Sequence, residues 1–67
     1  MNMDFGNALR ALQGMEKVTR QGWDGRFLMI AADDAGPHIL VSTDVDGQYE
    51  VWTPTQPDVL ATDWMIV

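Results

Sequence analysis

A chain of 67 residues holds a single domain at most, here residues 1–67, and a chain near that size buries only about 60% of the surface its unfolded form exposes. It has no cysteine and one histidine, His38, so neither a disulfide nor a thiolate or histidine metal site supports the small core, and oligomerisation is the remaining route to stability. Ten acids against four bases give a net charge of -6, which argues against duplex nucleic acid and anionic membrane surfaces as partners.

The first helix is predicted over about residues 4–13. Phe5, Ala8, Leu9 and Leu12 fall at i, i+3, i+4 and i+7, one face of a helix. Asp4 precedes them as the N-cap, and Gly14 follows the last periodic residue and suits a left-handed C-terminal cap. So short a helix is unstable alone and must pack on something. A sheet supplies the partner. Lys17 to Arg20 reads as a short strand, Gly22-Trp23-Asp24-Gly25 as a turn, and Phe27 to Ala31 as an apolar strand. Asp33 to Pro37 is a second turn, His38 to Thr43 a third strand, and Asp46-Gly47 a hairpin signal. Tyr49, Val51 and Trp52 form a fourth strand, which Pro54 and Pro57 end. Asp58 to Ala61 makes one helical turn, and Trp64 to Val67 a final strand. The predicted fold is α+β, with one N-terminal helix on a mostly antiparallel sheet of four or five strands, homo-oligomeric.

Chemistry is sparse. Ser42 and the threonines lack an evident general base, and His38 stands alone at a strand start. Neither glycine-rich phosphate loop is present. Asp44-Val45-Asp46-Gly47 resembles the start of a calcium loop, but Thr55 stands at the twelfth position where a bidentate Glu is needed, and Asp and Gly are what a hairpin tip requires anyway. No apolar run approaches the roughly 20 residues of a bilayer span, and Met1-Asn2-Met3-Asp4 shows no signal-peptide pattern. These features point to a non-catalytic, metal-free, cofactor-free cytoplasmic protein.

The aromatic residues say more. Three tryptophans in a chain this short are a heavy load. Trp64, beside Met65, Ile66 and Val67, reads as core. Trp23, between glycines in a turn, and Trp52, at a strand end, read either as stacking platforms for a planar ligand such as a nucleobase or as anchors of an oligomer interface. Asp24 and Arg26 neighbour Trp23, and Thr53, Thr55, Gln56 and Asp58 neighbour Trp52. Such polar groups can read a base edge or ribose hydroxyls, or they can form the turn and cap the helical turn.

The order of these pieces resembles a family. The chain runs Met3-Asp4-Phe5-Gly6, Ala8-Leu9, Leu12, Gly14, Lys17-Val18, Arg20 and Gly22-Trp23-Asp24-Gly25. It closes with Trp52-Thr53-Pro54-Thr55-Gln56, Asp58, Leu60-Ala61 and Asp63-Trp64. This pattern is similar to that of the small phage-encoded Thoeris anti-defence proteins of the second type, over nearly the whole chain. Asn is common in that family where this chain has Asp24. The resemblance implies a sponge in the cytoplasm of the infected bacterium. Such a protein binds a cyclic ADP-ribose-type signal between protomers of a homotetramer and withholds it without cleaving it. It further implies that Trp23 and Trp52 wall the base, that Asp24, Thr53, Gln56 and Asp58 bond to base edge and ribose, and that Arg26 meets a phosphate. The alternatives are a sponge for cyclic di- or trinucleotides and a non-catalytic protein-interaction module.

Overall fold

The computed structural model describes residues 2–42 and 48–67. The predicted Asp46-Gly47 turn and the Asp44–Asp46 pair lie outside the described residues. Among the described residues, seven elements follow in the order α1 (Phe5–Gln13), β1 (Val18–Arg20), β2 (Leu28–Asp33), β3 (Gly36–Ser42), β4 (Tyr49–Val51), α2 (Gln56–Leu60) and β5 (Trp64–Ile66). The α+β expectation holds, and every strand pairing is antiparallel. The sheet order is β4-β3-β2-β1-β5, so the last strand returns to lie beside the first. Met3 continues that edge: it exchanges backbone bonds with Trp64, Met3 N–H to the Trp64 carbonyl at 2.7 Å and Trp64 N–H to the Met3 carbonyl at 3.1 Å.

Helix α1 forms for the reasons legible in its sequence. The Asp4 carboxylate accepts from the Asn7 N–H at 2.9 Å, which satisfies one free amide of the first turn. Its C-terminal cap corrects the prediction. Gly14 has φ -85°, and the left-handed residue is Met15, at φ 68°. The Met15 N–H bonds to the Leu12 carbonyl and the Glu16 N–H to the Ala11 carbonyl, both at 3.0 Å. That is the paired bonding of a Schellman cap, shifted one residue so that a methionine takes the position glycine favours.

Other boundaries move by similar amounts. The predicted Asp33–Pro37 turn is tighter than expected, because Asp33 pairs with Gly36 and only Asp34 and Ala35 bridge the strands. The Asp33 carboxylate accepts from the Ala35 N–H at 2.8 Å, and Gly36, at φ 112°, re-enters the sheet. The second helix starts at Gln56, not Asp58. Thr55 caps it, and Pro57 sits within the first turn, where no amide is needed.

Side chains alternate across the strands, and the register puts Val18, Leu28 and Val41 in one row. With Ala8 and Leu12 of α1 and with Trp64, these residues form the buried core. Arg20 pairs across β1 and β5 with Trp64, so it projects from this same helix-covered face.

Candidate functional site

Trp64 is fully buried, and the other two tryptophans close around it. The Trp23 ring meets it edge-on with centroids 5.2 Å apart, and the Trp52 ring does the same at 6.0 Å. Trp23 and Trp52 stand 6.5 Å from each other, and Phe5 of α1 touches both Trp52 and Trp64, at 5.8 and 5.5 Å. The edge-to-face geometry of the three indoles at these distances is a favoured arrangement of aromatic quadrupoles, while the Phe5 ring is tilted against its two neighbours. Trp23 and Trp52 are both half-buried, so each contributes to packing and stays partly accessible.

The turn that carries Trp23 is built as its glycines suggest, with Gly22 at φ 89° and Gly25 at φ 90°. Asp24 between them is also left-handed, at φ 53°, a conformation that Asn and Asp tolerate better than most residues. Its side chain is exposed. The Trp23 N–H bonds back to the Arg20 carbonyl at 3.2 Å, and the Arg26 N–H to the Trp23 carbonyl at 3.2 Å. Trp52 is anchored differently: its N–H donates to the Ile39 carbonyl of β3 at 2.9 Å. From there the chain crosses to α2 and β5.

Asp58 is the busiest of the residues singled out from sequence. Its Oδ1 accepts from Arg20 Nη1 at 2.7 Å and its Oδ2 from the Thr55 hydroxyl at 2.9 Å. Its backbone carbonyl accepts from the Trp64 indole N–H at 3.0 Å. The carboxylate is thus engaged inside the chain. Thr53 and Gln56 are exposed beside it. Arg26 is directed elsewhere, because its Nε donates to the Ser42 carbonyl at the end of β3, at 3.2 Å. The structure therefore gathers Trp23, Trp52 and Asp58 around Trp64 and places Thr53 and Gln56 on the same segment, while Arg26 belongs to another contact.

Arg20 and Asp63 complete the arrangement; both belong to the pattern that carries the resemblance, though neither is assigned a ligand contact from it. Arg20 Nε donates to Asp63 Oδ1 at 2.8 Å, so one guanidinium bridges two carboxylates. The hydrogen bond with Asp63, then that with Asp58, raises the Arg20 pKa above its ordinary value. The same bond from Arg20 holds the Asp63 carboxyl below the usual carboxylate range. A carboxyl with a lowered folded pKa stabilises the fold at pH above its unfolded pKa, about 3.9, and that contribution is lost as pH falls through the lower folded value. The available signal was alternation: a strand over Val18–Arg20 turns Arg20 to the same face as buried Val18, where a guanidinium needs carboxylate partners.

His38 lies away from this cluster, 3.1 Å from Asp33 on the β2–β3 hairpin. Among the described residues, no group of three or more His, Cys, Asp or Glu is placed to hold a metal ion, and no helix is long and apolar enough to cross a membrane.

Comparison with known proteins gives concordant results. The model of a family described as the Thoeris anti-defense 2-like domain matches residues 3–67. The chain is 35% identical to Thoeris anti-defense 2 of Bacillus phage SP01, an alignment covering 97% of this chain and 94% of the relative. The alignment runs over 85 residues, longer than the chain itself, so the relative carries additional residues.

Proposed function

The chain belongs to the Thoeris anti-defense 2-like family, and from that premise we propose that it is a sponge that binds a cyclic ADP-ribose-type signal of bacterial Thoeris and keeps it intact. Anti-defence against Thoeris is the role that membership gives it; capture of the signal in the cytoplasm of the infected bacterium is the mechanism proposed here. The observation that carries the reading is the family match across residues 3–67, which takes in both half-buried tryptophans and the segment joining them to α2. Trp23 and Trp52 offer ring surface to a base, with Thr53, Gln56 and Asp24 exposed nearby in sequence for polar contacts.

Calorimetry and thermal unfolding with a cyclic ADP-ribose isomer test this directly. A ligand at 100 times its Kd adds about 2.7 kcal/mol of stability. Intact nucleotide should be released when the protein is heated. No thermal shift, or a cleaved nucleotide, defeats the sponge. Competition with cyclic di- and trinucleotides then fixes the ligand class.

The reading includes self-association, which one feature of the sheet favours. Met29, Leu40 and Val51 form a row across β2, β3 and β4 on the face opposite Val18, Leu28 and Val41. Phe27 and Tyr49 extend it, their rings 6.2 Å apart. No described helix covers this row, and Val51 is 64% exposed. An uncovered apolar sheet face on a 67-residue domain suits contact with further copies of the chain. A tetramer would show a solution mass four times the 7.5 kDa of the chain.

A further inference from the structure

Between Trp52 and Ala61, which pack against the core, the stretch that carries Thr53, Gln56 and Asp58 is weakly held by apolar packing. Helix α2 has no buried residue, and its two large apolar side chains, Val59 and Leu60, are 43% and 77% exposed. Five residues make too short a helix to persist by its own backbone bonds. What fixes this stretch between its two apolar ends is polar. Arg20 Nη1 reaches Asp58 in α2, and Arg20 Nε reaches Asp63 just before β5. Asp58 in turn fastens Thr55 through its carboxylate and the Trp64 indole through its carbonyl. At the other end of the same connection, the Arg20 carbonyl accepts from Trp23 and the Asp63 carbonyl from Gln21. One arginine therefore ties together the turn that bears Trp23 and the segment that bears Trp52.

We infer that Arg20 is the positioning residue of the candidate site: its forked grip on Asp58 and Asp63 sets the Trp52–Asp58 segment against Trp23, and it does so without meeting the ligand. Two carboxylates within 3 Å of one guanidinium leave the cluster net negative, which does not suit a phosphate. The geometry also separates the two basic side chains chemically. A point charge could serve a phosphate, but only a planar fork spans two carboxylates on different elements, so lysine is not an equivalent here. The inference rests on the sponge reading for its ligand but not for its structural content.

The test uses Arg20→Gln and Arg20→Lys in the full chain, with Arg10→Gln on exposed α1 surface as a control for lost charge. Affinity for a cyclic ADP-ribose isomer is measured well below the unfolding temperature, beside far-UV and near-UV circular dichroism. Both Arg20 variants are expected to keep the far-UV spectrum and lose about tenfold in affinity, equivalent to about 1.4 kcal/mol of binding free energy. Both should also change the near-UV signal of the packed indoles, while Arg10→Gln leaves affinity and signal unchanged. Wild-type affinity in Arg20→Lys would show that a positive charge suffices and overturn the inference, as would wild-type affinity in Arg20→Gln. If either variant fails to fold, Asp63→Asn, which leaves the Asp58 contact in place, should still weaken binding and alter the near-UV signal; no change in either overturns the inference. If the wild-type chain binds no such nucleotide, the sponge reading falls and the indole signal alone decides on Arg20: altered supports positioning, unaltered refutes it.

Discussion

The two faces of the sheet differ in how their needs are met. On the helix-covered face Trp64, Val18, Leu28 and Leu12 are fully buried, the indole N–H has a carbonyl partner, and the inward arginine has two carboxylates. No buried side-chain polar atom among the described residues lacks a partner. On the opposite face Met29, Leu40 and Val51 line up with no described layer above them. The first face is complete within one chain; the second is apolar without being closed. This difference is the ground for the proposed self-association: a small domain with its described helices on one side of a sheet leaves the other side free for a further layer.

The largest effect should follow from breaking the completed face. Trp64→Ala removes the largest fully buried side chain and the ring on which Phe5, Trp23 and Trp52 pack. The expected loss is about 3–5 kcal/mol, a large part of the stability of any small domain. Thermal or urea unfolding should find the variant largely unfolded at 25 °C. A folded variant with near wild-type stability would mean that the aromatic cluster is peripheral.

A charge on the open face should act differently. Leu40→Glu lies in the middle of the Met29–Leu40–Val51 row, where the side chain is only partly buried. The cost to the protomer itself is expected to be about 1 kcal/mol. The self-association proposed for this face should be lost, and with it any dependence of Tm on protein concentration. Light scattering reads the mass. A variant with wild-type mass would place any self-contact elsewhere, and the contrast between the faces would lose its meaning.

How far the sequence carried depended on the reach of each interaction. Helix α1 was legible because its apolar period and its Asp4 cap are local. Of the four or five strands expected, Leu28–Asp33 and Gly36–Ser42 were the most legible, as apolar runs bounded by Gly, Pro and Asp. The boundary shift at α2 came from reading Pro57 only as a strand breaker, although proline is at home in a first helical turn. The cluster of Trp23, Trp52 and Trp64 was half legible: each residue stood out, but their mutual contact depends on a crossing that no periodicity encodes. Arg20 was hidden for the same reason. Its partners lie 38 and 43 residues along the chain, and only the β1–β5 pairing brings them together.

The smallest effect falls where the helix of the completed face ends, and it separates two accounts of that end. If Gly14 were the left-handed cap, Gly14→Ala would be destabilising by about 1 kcal/mol and Met15 would be an ordinary linker residue. In the structure the φ values are reversed, -85° at Gly14 and 68° at Met15. Met15 is 79% exposed, so truncating it forfeits little burial, while a non-glycine residue in the left-handed region carries a backbone penalty. Met15→Gly should therefore raise stability by about 0.5–1 kcal/mol, offset in part by the greater freedom of glycine in the unfolded chain. For a domain of this size 1 kcal/mol moves Tm by about 4–8 °C, which calorimetry resolves. Gly14→Ala should do no harm, since its φ is open to alanine and the added Cβ would sit 3.4 Å from the Ala11 carbonyl oxygen. The opposite order, with Gly14→Ala costly and Met15→Gly neutral or worse, would move the cap back by one residue and with it the point at which the chain leaves α1 for β1.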